Sequence, residues 1–314
     1  MKKHHSTAII AAMAVFSIAL AGCRELPGKE AADSLLEKTS SFTQDAAEAV
    51  KQNLSDASAS VGDAIKDTAG MLEEQMNTTG ISREFSTSLP IASASVLKLD
   101  NAVGEVTVAP ASGDEITVQA TVIVHEQTGH KLVSGVLDHA EVSIEHTGDS
   151  LIVSTHGEGN SKRDLWEWAQ HEYGDSNFSI NYVIGIPDTV DRFKIDNNVG
   201  TVQLRGLEGT FEINSNVGSI ILQDAVFTGK SSVESNTGSI ELGVSGMNQG
   251  SSLKAKSDIG RISADLSAST ECTVKARSEL GHISGADNGK SKDYNGGGPL
   301  MSLTTQIGAI SVNQ

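Results

Sequence analysis

The sequence is short of large aromatic side chains, cysteine, proline and positive charge, and these shortages narrow the class of protein. Aromatic residues make up 4% of the 314 residues, and two cysteines cannot form the disulfide framework of a small secreted domain. Against 40 Asp and Glu there are 23 Lys and Arg, a formal charge of −17, which argues against a nucleic-acid partner because phosphate binding needs a basic surface. Hydrophobic residues still reach 38%, too many for a disordered chain. The chain can therefore build a core, but with few of the aromatics that fill most enzyme cores.

The start of the chain has the pattern of a bacterial lipoprotein signal. Two lysines precede an apolar run over residues 8–21, which is too short to span a bilayer as a mature helix. The run ends in Leu20-Ala21-Gly22-Cys23, which resembles a lipobox, where a cysteine is acylated and becomes the new N-terminus. We therefore expect a signal peptide over residues 1–22 and a lipid anchor on Cys23. The alternative is an ordinary signal peptide that happens to contain cysteine. By resemblance to Gram-negative lipoproteins, Arg24 favours the outer membrane.

Residues 23–80 are predicted to form the lipid anchor and a long N-terminal α-helical stalk. Between residues 31 and 78 there is no proline, and Ala, Glu, Lys, Gln and Asp dominate. Steps of about 3.67 residues from Leu35 to Met76 give a weak apolar stripe, in which alanines and threonines interrupt the larger side chains, and this period gives a helix a right-handed supercoil tendency. Such a helix would hold the rest of the chain away from the membrane. The alternative is an amphipathic segment that stays partly disordered until it meets a partner.

The rest of the chain repeats one short unit centred on a glycine. The first copy runs from Leu97 to Val108 around Gly104, with apolar residues two apart on both sides of the glycine. Six later copies, separated by 18, 20, 22, 21 and 27 residues, centre on Gly200, Gly218, Gly238, Gly260, Gly281 and Gly308. The residue five before the glycine is always apolar, the residue three before it is always Asn, Ser or Thr, and the residue two after it is always β-branched.

These columns predict stacked strands. Alternation with a period of two marks β-strands, and because it changes phase at the glycine, each unit is predicted to be two short strands meeting at a corner. A single unit cannot bury its own apolar face, whereas units stacked about 4.8 Å apart would join their faces into one core. The predicted fold is therefore mainly β: a right-handed parallel β-solenoid over residues 81–314, with an irregular strand block (81–190) before regular rungs (191–314). The alternative is an antiparallel sandwich or barrel of repeated hairpins.

Three local features are predicted around the rungs. Residues 142–153 alternate on either side of a Thr-Gly-Asp turn, which predicts a hairpin, and residues 129–139 are predicted to form a short helix. The glycine-rich run from Gly285 to Pro299 is predicted to be a mobile loop. The last apolar residue is Val312, so we expect the final strand to leave an edge that is covered by this loop, by another chain or by nothing.

The repeat resembles the bacterial putative-adhesin family. The resemblance covers roughly residues 85–314 and rests on the glycine-centred units and on the earlier strand block, which ends in Ile184-Gly185-Ile186-Pro187. It implies a solenoid domain on a cell-envelope protein. It supplies no catalytic residues to carry over, since its motifs identify an architecture rather than a chemistry.

Outward positions of the units carry the candidate site residues. Six and four residues before the glycine the side chains are mostly charged or polar, and stacking predicts the ion pairs Lys194–Glu212 and Glu234–Lys256. Asp258 and Glu279 occupy one position in successive units and are the best candidates for a catalytic carboxylate pair. The alternative, which we favour, is that they only solvate a face.

The two tryptophans of the chain lie in a polar insert over residues 157–177. Trp166, Trp168 and Tyr173 are candidates for partner contact, because Trp and Tyr dominate interface hot spots. The alternative, favoured here, is a short helix that caps the end or flank of the solenoid through Leu165, Trp166 and Ala169.

No catalytic, cofactor-binding or metal-binding residues are predicted. The histidines show no metal-ligand spacing, and Cys272 is predicted to be a small buried thiol. The predicted protein is a non-catalytic, lipid-anchored cell-envelope protein that presents the solenoid for adhesion, scaffolding or partner recognition. It would be held to the membrane through Cys23, contact an envelope protein or polysaccharide, and form homo-oligomers through the stalk or the terminal strand edge. The alternatives are a polysaccharide-active enzyme or carbohydrate-binding module, and an envelope-stress sensor.

Overall fold

The computed structural model describes residues 80–125 and 130–314. The predicted signal peptide, Cys23 and nearly all of the predicted stalk lie outside the described residues. Within them the chain is mainly β, with two helices, α1 (His130–His139) and α2 (Leu165–Tyr173). The strands are β1 (Gly80–Pro90), β2 (Val96–Val103), β3 (Val106–Pro110), β4 (Glu115–His125), β5 (Ala140–Thr147), β6 (Ser150–Gly157), β7 (Phe178–Ile186), β8 (Arg192–Val199), β9 (Val202–Arg205), β10 (Glu208–Val217), β11 (Ile220–Phe227), β12 (Lys230–Thr237), β13 (Ile240–Met247), β14 (Ser252–Ile259), β15 (Ile262–Leu266), β16 (Cys272–Leu280), β17 (Ile283–Ser284), β18 (Ser291–Tyr294), β19 (Leu300–Ile307) and β20 (Ile310–Asn313).

The strands pair in two ladders, which we call sheet I and sheet II. Sheet I has the order β5–β6–β2–β8–β10–β12–β14–β19–β16–β18. Sheet II has the order β1–β4–β7–β3–β9–β11–β13–β15–β20–β17. Pairing is parallel except at the ends of the ladders. Each glycine-centred unit gives one strand to each sheet, and we call such a unit a rung.

The core is a set of columns of aliphatic side chains that run across the rungs. Val202, Ile220, Ile240 and Ile262 are register neighbours along sheet II, and all four are buried. This confirms the predicted interior line. Since burying one such side chain stabilises a fold by roughly 1.5–3 kcal/mol only when neighbours cover it, each rung depends on the rungs beside it.

Each corner is made by the glycine on which the rung is centred. Gly238 has φ of 148°, a backbone conformation open to glycine but not to side-chain-bearing residues. A Cβ at Gly238 would also overlap the backbone carbonyl oxygen of Gly218 in the rung beside it. The corners therefore stack backbone on backbone, which explains why the glycine recurs in every unit and why the alternation changes phase there.

The order of the last rungs corrects the expectation for the final strand. The rung of residues 300–313 (β19 and β20) does not lie at the edge of the stack. It is inserted between the rung of β14 and β15 and the rung of β16 and β17, with parallel pairing on both sides. The strands at this end are β17 and β18, because the last rung turns back into the stack.

The run from Gly285 to Pro299 contains a strand, so the prediction of a loop over the whole run is wrong. β18 lies within it and pairs antiparallel with β16, from Cys272 opposite Tyr294. The Tyr294 ring is buried and its hydroxyl donates to the Gly285 carbonyl at 2.6 Å. The Asn295 amide donates to the carbonyls of Ala268 and Thr270, both at 2.9 Å. These bonds hold the segment against the outermost rung.

The opposite end of the stack is less regular. The predicted hairpin is confirmed, with β5 and β6 antiparallel and Ile144 opposite Val153. The predicted helix is confirmed as α1. In sheet II, β1, β4 and β7 pair antiparallel. Between β6 and β7 the chain contains the insert with α2, and the first corner, at Gly104, lies against Ile180 and Asn181 of β7.

Candidate binding surface

A buried polar column fixes the corners and so positions the surface outside them. The Asn, Ser and Thr residues three before each glycine are all buried. Most of them donate to the carbonyl of the corner glycine in a neighbouring rung, as Ser257 does to Gly238 at 3.0 Å and Ser278 to Gly308 at 2.9 Å. Because an unpaired buried carbonyl is costly, these short polar residues are required where the chain bends. Ser215 differs, since its hydroxyl makes no hydrogen bond.

An exposed row of amide side chains runs along the outside of the corners. Asn236 donates to the Asn216 side-chain oxygen at 2.9 Å, and Asn216 donates to Asn198 at 2.7 Å. We call Asn198, Asn216 and Asn236 the amide row. The spacing is set by the parallel register, which places one residue of each rung next to its equivalent. This row was not predicted, although its signal is visible as an Asn two residues before three successive corner glycines.

The row continues into the two acidic residues considered above, and here the prediction of adjacent carboxylates is wrong. Gln306 lies between Asp258 and Glu279, because the rung of residues 300–313 is inserted between theirs. Gln306 donates to Asp258 at 2.7 Å, and Lys256 forms an ion pair with Asp258 at 2.7 Å. At two rungs apart, about 10 Å, Asp258 and Glu279 do not form a pair.

Charged side chains on the outer face of sheet I form short ion pairs. The predicted Lys194–Glu212 pair is confirmed at 2.7 Å, and this hydrogen bond raises the pKa of Lys194. Glu234 pairs with Lys254 at 2.7 Å and not with Lys256, which turns to Asp258 on its own strand. The bond from Lys254 lowers the pKa of Glu234, and the bond to Asp258 raises the pKa of Lys256. Such partly exposed pairs are worth roughly 0–1 kcal/mol each, so they arrange the face more than they stabilise it.

Two carboxylates do meet on this face, on β2 and β8. Asp100 and Asp196 are direct register neighbours. Burial and the neighbouring Asp196 raise the pKa of Asp100, while Lys194 opposes this effect. Asn214 donates to Asp196 at 2.7 Å, which holds Asp196 as the acceptor. Sequence reasoning placed both residues at one outward position but drew nothing from it, although two acids in successive copies of one column were a usable indication.

The aromatic insert packs against the chain itself. α2 begins at the N-cap Asp164, whose carboxylate accepts from the Glu167 amide at 2.7 Å. Trp168 is buried, and its ring lies where a side chain on Gly157 would be. The helix thus covers its flank through Leu165, Trp168 and Ala169, rather than through the predicted set with Trp166.

The other two aromatics of the insert are half-buried. Trp166 stacks on Phe178 with ring centroids 5.3 Å apart, and its indole nitrogen donates to the Phe178 carbonyl at 3.2 Å. Tyr173 packs edge-on against Trp168 at 5.6 Å. These contacts support the capping interpretation. Partner contact by Trp166, Trp168 and Tyr173 stays a prediction.

Two open depressions lie on and beside sheet II. One, of about 550 Å³, is a shallow groove on its outer face lined by Ser86, Thr117, Val183 and Gly185 among others. The second, of about 650 Å³, lies at the ends of three strands and is lined by Pro90 at the end of β1, Pro110 at the end of β3 and Pro187 directly after β7, among others. Both are broad and open to solvent.

Reactive groups are few in the part of the chain that the structure describes. Cys272 is buried, as predicted, and burial raises the pKa of its thiol to about 11. No three His, Cys, Asp or Glu side chains among the described residues are close enough together to hold a metal ion. No helix within residues 80–125 and 130–314 is long and apolar enough to cross a membrane.

Comparison with known proteins gives distant structural similarities. No family model and no curated protein matches the chain. Among solved structures, it is similar to a putative cell adhesion protein from Clostridium sporogenes, with 12% identity and a TM-score of 0.39 over 74% of this chain and 100% of that one. It is similar to a putative adhesin from Bacteroides fragilis, with 16% identity and a TM-score of 0.39 over 73% and 97% of the two chains. It is also similar to a putative lipid binding protein from Parabacteroides distasonis, with 12% identity and a TM-score of 0.27 over 76% and 98%.

Proposed function

We propose that this chain is a non-catalytic, lipid-anchored cell-envelope protein whose rungs form a right-handed β-solenoid and whose outer corner binds a protein partner. The observation that carries the proposal is the amide row. Three exposed amides lie in register on successive rungs and are joined by hydrogen bonds of 2.7 and 2.9 Å. The row is a fixed array of donors and acceptors that faces solvent.

The row suits recognition because it is already ordered before a partner arrives. Each bond within the row restrains the side chains on either side of it, so binding loses less side-chain entropy than it would with freely rotating amides. An amide also keeps a second donor hydrogen and a second acceptor lone pair after making one bond. The ion pairs Lys194–Glu212 and Lys254–Glu234 flank the row and add complementary charge without a strong net sign.

The outward positions of sheet I favour a protein over a polysaccharide. Outward side chains on these strands stand eight, six, four and two residues before each corner glycine. From Gly200 to Gly308, none of these positions holds an aromatic residue. Sugar-binding surfaces commonly use exposed aromatic faces, whereas mixed amides and ion pairs are typical of the polar part of a protein interface.

Attachment to the envelope is the second half of the proposal, and it is supported by the lipobox-like Leu20-Ala21-Gly22-Cys23. Acyl chains contribute about 0.8 kcal/mol per buried methylene, so a multiply acylated cysteine would be a stable anchor. We expect Cys23→Ser to move the protein from the membrane fraction to the soluble fraction. Unchanged membrane association of Cys23→Ser would refute the anchor.

The binding face is tested by photo-crosslinking in cells. A photoreactive residue replaces Asn216 in one chain and Gln203 in another; Gln203 is half-buried on the outer face of sheet II and serves as the matched control. We expect a protein adduct of one defined mass from position 216 only, and its loss when Asn198 and Asn236 are both changed to Ala. Equal adducts from both positions, an adduct unaffected by the double change, or a carbohydrate adduct would contradict the proposed face.

A further inference from the structure

The inserted position of the rung of residues 300–313 needs a cause, because the sequence offers a simpler order. The rung of β16 and β17 follows the rung of β14 and β15 directly in the chain. The spacing from Gly260 to Gly281 is 21 residues, within the range of 18 to 22 found between the rungs centred on Gly200, Gly218, Gly238 and Gly260, which stack in sequence order. Instead, β19 and β20 separate these two rungs.

The repeated columns of the rungs do not distinguish the two orders. In sheet I, Ala255 and Ala276 occupy the same column, and in sheet II Ile262 and Ile283 do. The corners are glycine in both rungs, and Ser257 and Ser278 make the same kind of bond to the neighbouring corner. Direct stacking of the two rungs would therefore keep the apolar columns, the corner and the polar column.

The outer face of sheet I does distinguish them. Stacked in sequence order, the two rungs would bring like charges into direct register in three rows: Lys254 beside Lys275, Lys256 beside Arg277, and Asp258 beside Glu279. In the structure, a neutral residue of the inserted rung separates the members of every pair, namely Ser302, Thr304 and Gln306. Gln306 also donates to Asp258 at 2.7 Å. Like charges directly opposite each other on neighbouring strands are destabilising.

We propose that like-charge repulsion in these three rows selects the order of the rungs. The rung of residues 300–313, which is neutral in these rows, therefore lies between two rungs that would otherwise stack directly on each other. The two arrangements share the repeated columns and differ at the outer edge of β16, which β18 covers in the structure and β19 would cover in sequence order. The outer charges decide between them. Conditions or substitutions that remove the repulsion shift the population of molecules toward sequence order, in which the rung of residues 300–313 no longer separates the other two.

A row of three serines on sheet II reports the order without touching the charged rows. Ser263 lies next to Ser311, with their hydroxyl oxygens 3.2 Å apart, and Ser311 lies next to Ser284. Neighbouring strands are about 4.8 Å apart, within disulfide reach, whereas strands two rungs apart are not. In the full chain, Ser263→Cys with Ser311→Cys reports the inserted order, and Ser263→Cys with Ser284→Cys reports sequence order.

The decisive variant reverses three charges on β16: Lys275→Glu, Arg277→Glu and Glu279→Lys. Sequence order would then join opposite charges in all three rows, while in the inserted order the same residues still face neutral neighbours. After refolding and oxidation, disulfide-linked peptides are quantified by mass spectrometry. We expect the 263–284 product to rise about tenfold over the native charges. The matched control keeps every sign, with Lys275→Arg, Arg277→Lys and Glu279→Asp, and should give the native ratio.

A salt series on the native charges keeps the test decisive even if the reversed variant does not fold. At 1 M salt the screening length falls to about 3 Å, so the repulsion between the two rungs weakens. We expect the 263–284 product to rise severalfold between refolding at 0.05 M and at 1 M NaCl. Formation of that product as the main species at low salt would overturn the inserted order. An unchanged ratio across the salt series, or between the reversed variant and its control, would overturn selection by charge.

Discussion

The stacked corner makes a strong prediction for one substitution, Gly238→Ala. The added methyl group meets two obstacles at once. The φ of 148° lies outside what alanine tolerates, and the new Cβ would overlap the Gly218 carbonyl oxygen, which belongs to the backbone and cannot rotate away. The backbone at Gly238 must therefore move away from the backbone of Gly218 in the neighbouring rung.

The cost follows from what such a shift breaks. Forcing a side-chain-bearing residue into this backbone region costs about 1–3 kcal/mol. Moving the two corners apart also strains the hydrogen bonds from the Gly218 amide to the Thr237 carbonyl and from the Ile220 amide to the Ser239 carbonyl, both 2.9 Å long. At about 0.5–1.5 kcal/mol each, their loss brings the expected destabilisation to about 2–6 kcal/mol.

The matched control is Gly246→Ala in the same rung. There a Cβ meets the nearest Val226 methyl at 3.7 Å, an ordinary contact, so this change should be neutral or stabilise by up to about 1 kcal/mol. Urea unfolding followed by circular dichroism compares the two, with hydrogen exchange over β10 to β13 to detect local opening. If Gly238→Ala unfolds within about 1 kcal/mol of Gly246→Ala, the stacked-corner account is wrong.

The structure makes three further predictions. Ser257→Ala should destabilise by about 1 kcal/mol because it leaves a buried glycine carbonyl unpaired, whereas Ser215→Ala, which removes a hydroxyl without a partner, should be neutral or stabilising in the same urea assay. Trp168→Ala should lower the unfolding free energy by about 3–5 kcal/mol and Trp166→Ala by clearly less, because only Trp168 is buried; equal effects would contradict the packing of α2. Asp100→Asn should stabilise at pH 7 by up to about 1 kcal/mol, and this gain should fade as pH falls through the raised pKa of Asp100, since the native side chain then becomes neutral itself; a gain that grows at low pH would contradict the sign.

The columns of the fold could be predicted because they are local and repeated. Val202, Ile220, Ile240 and Ile262 sit at one offset from a glycine, and the same offset places them in one register line. The polar column could be predicted in the same way, because Asn, Ser or Thr recurs three residues before every corner glycine. What the sequence did not reveal was the reason for that column, which is the unpaired carbonyl of a stacked glycine in the next rung.

The order of the last rungs could not be predicted from the same columns. Every rung presents matching apolar, polar and glycine positions, so these columns alone do not fix the order of the rungs of β16 and β19. The difference lies in exposed charges, whose individual energies are small beside the core. The predicted meeting of Asp258 with Glu279 failed for this reason.

The prediction of which side chains of the aromatic insert are buried was wrong at one residue, Trp166 in place of Trp168, and the reason is simpler. Leu165, Trp168 and Ala169 follow the spacing i, i+3, i+4, which places three side chains on one face of a helix, and the structure buries these three. Leu165, Trp166 and Ala169 do not share a face in the same way. Helical spacing alone would have selected Trp168 for the cap.

Stability and recognition are therefore carried by different atoms of the same rungs. The interior side chains at equivalent positions are similar in every rung, so they give neither a partner nor a neighbouring rung any selectivity for one rung over another. The outer rows change along the stack: the residue two before the corner glycine is Asn on β8, β10 and β12, but Asp258 on β14 and Glu279 on β16. Selectivity for a partner must therefore come from the side chains of these outer rows. The inserted rung indicates that the same rows also select which rungs stack on each other. Substitutions at corner glycines should thus lower stability and binding together, whereas substitutions in the amide row should change binding in a stack that still unfolds at the native urea concentration.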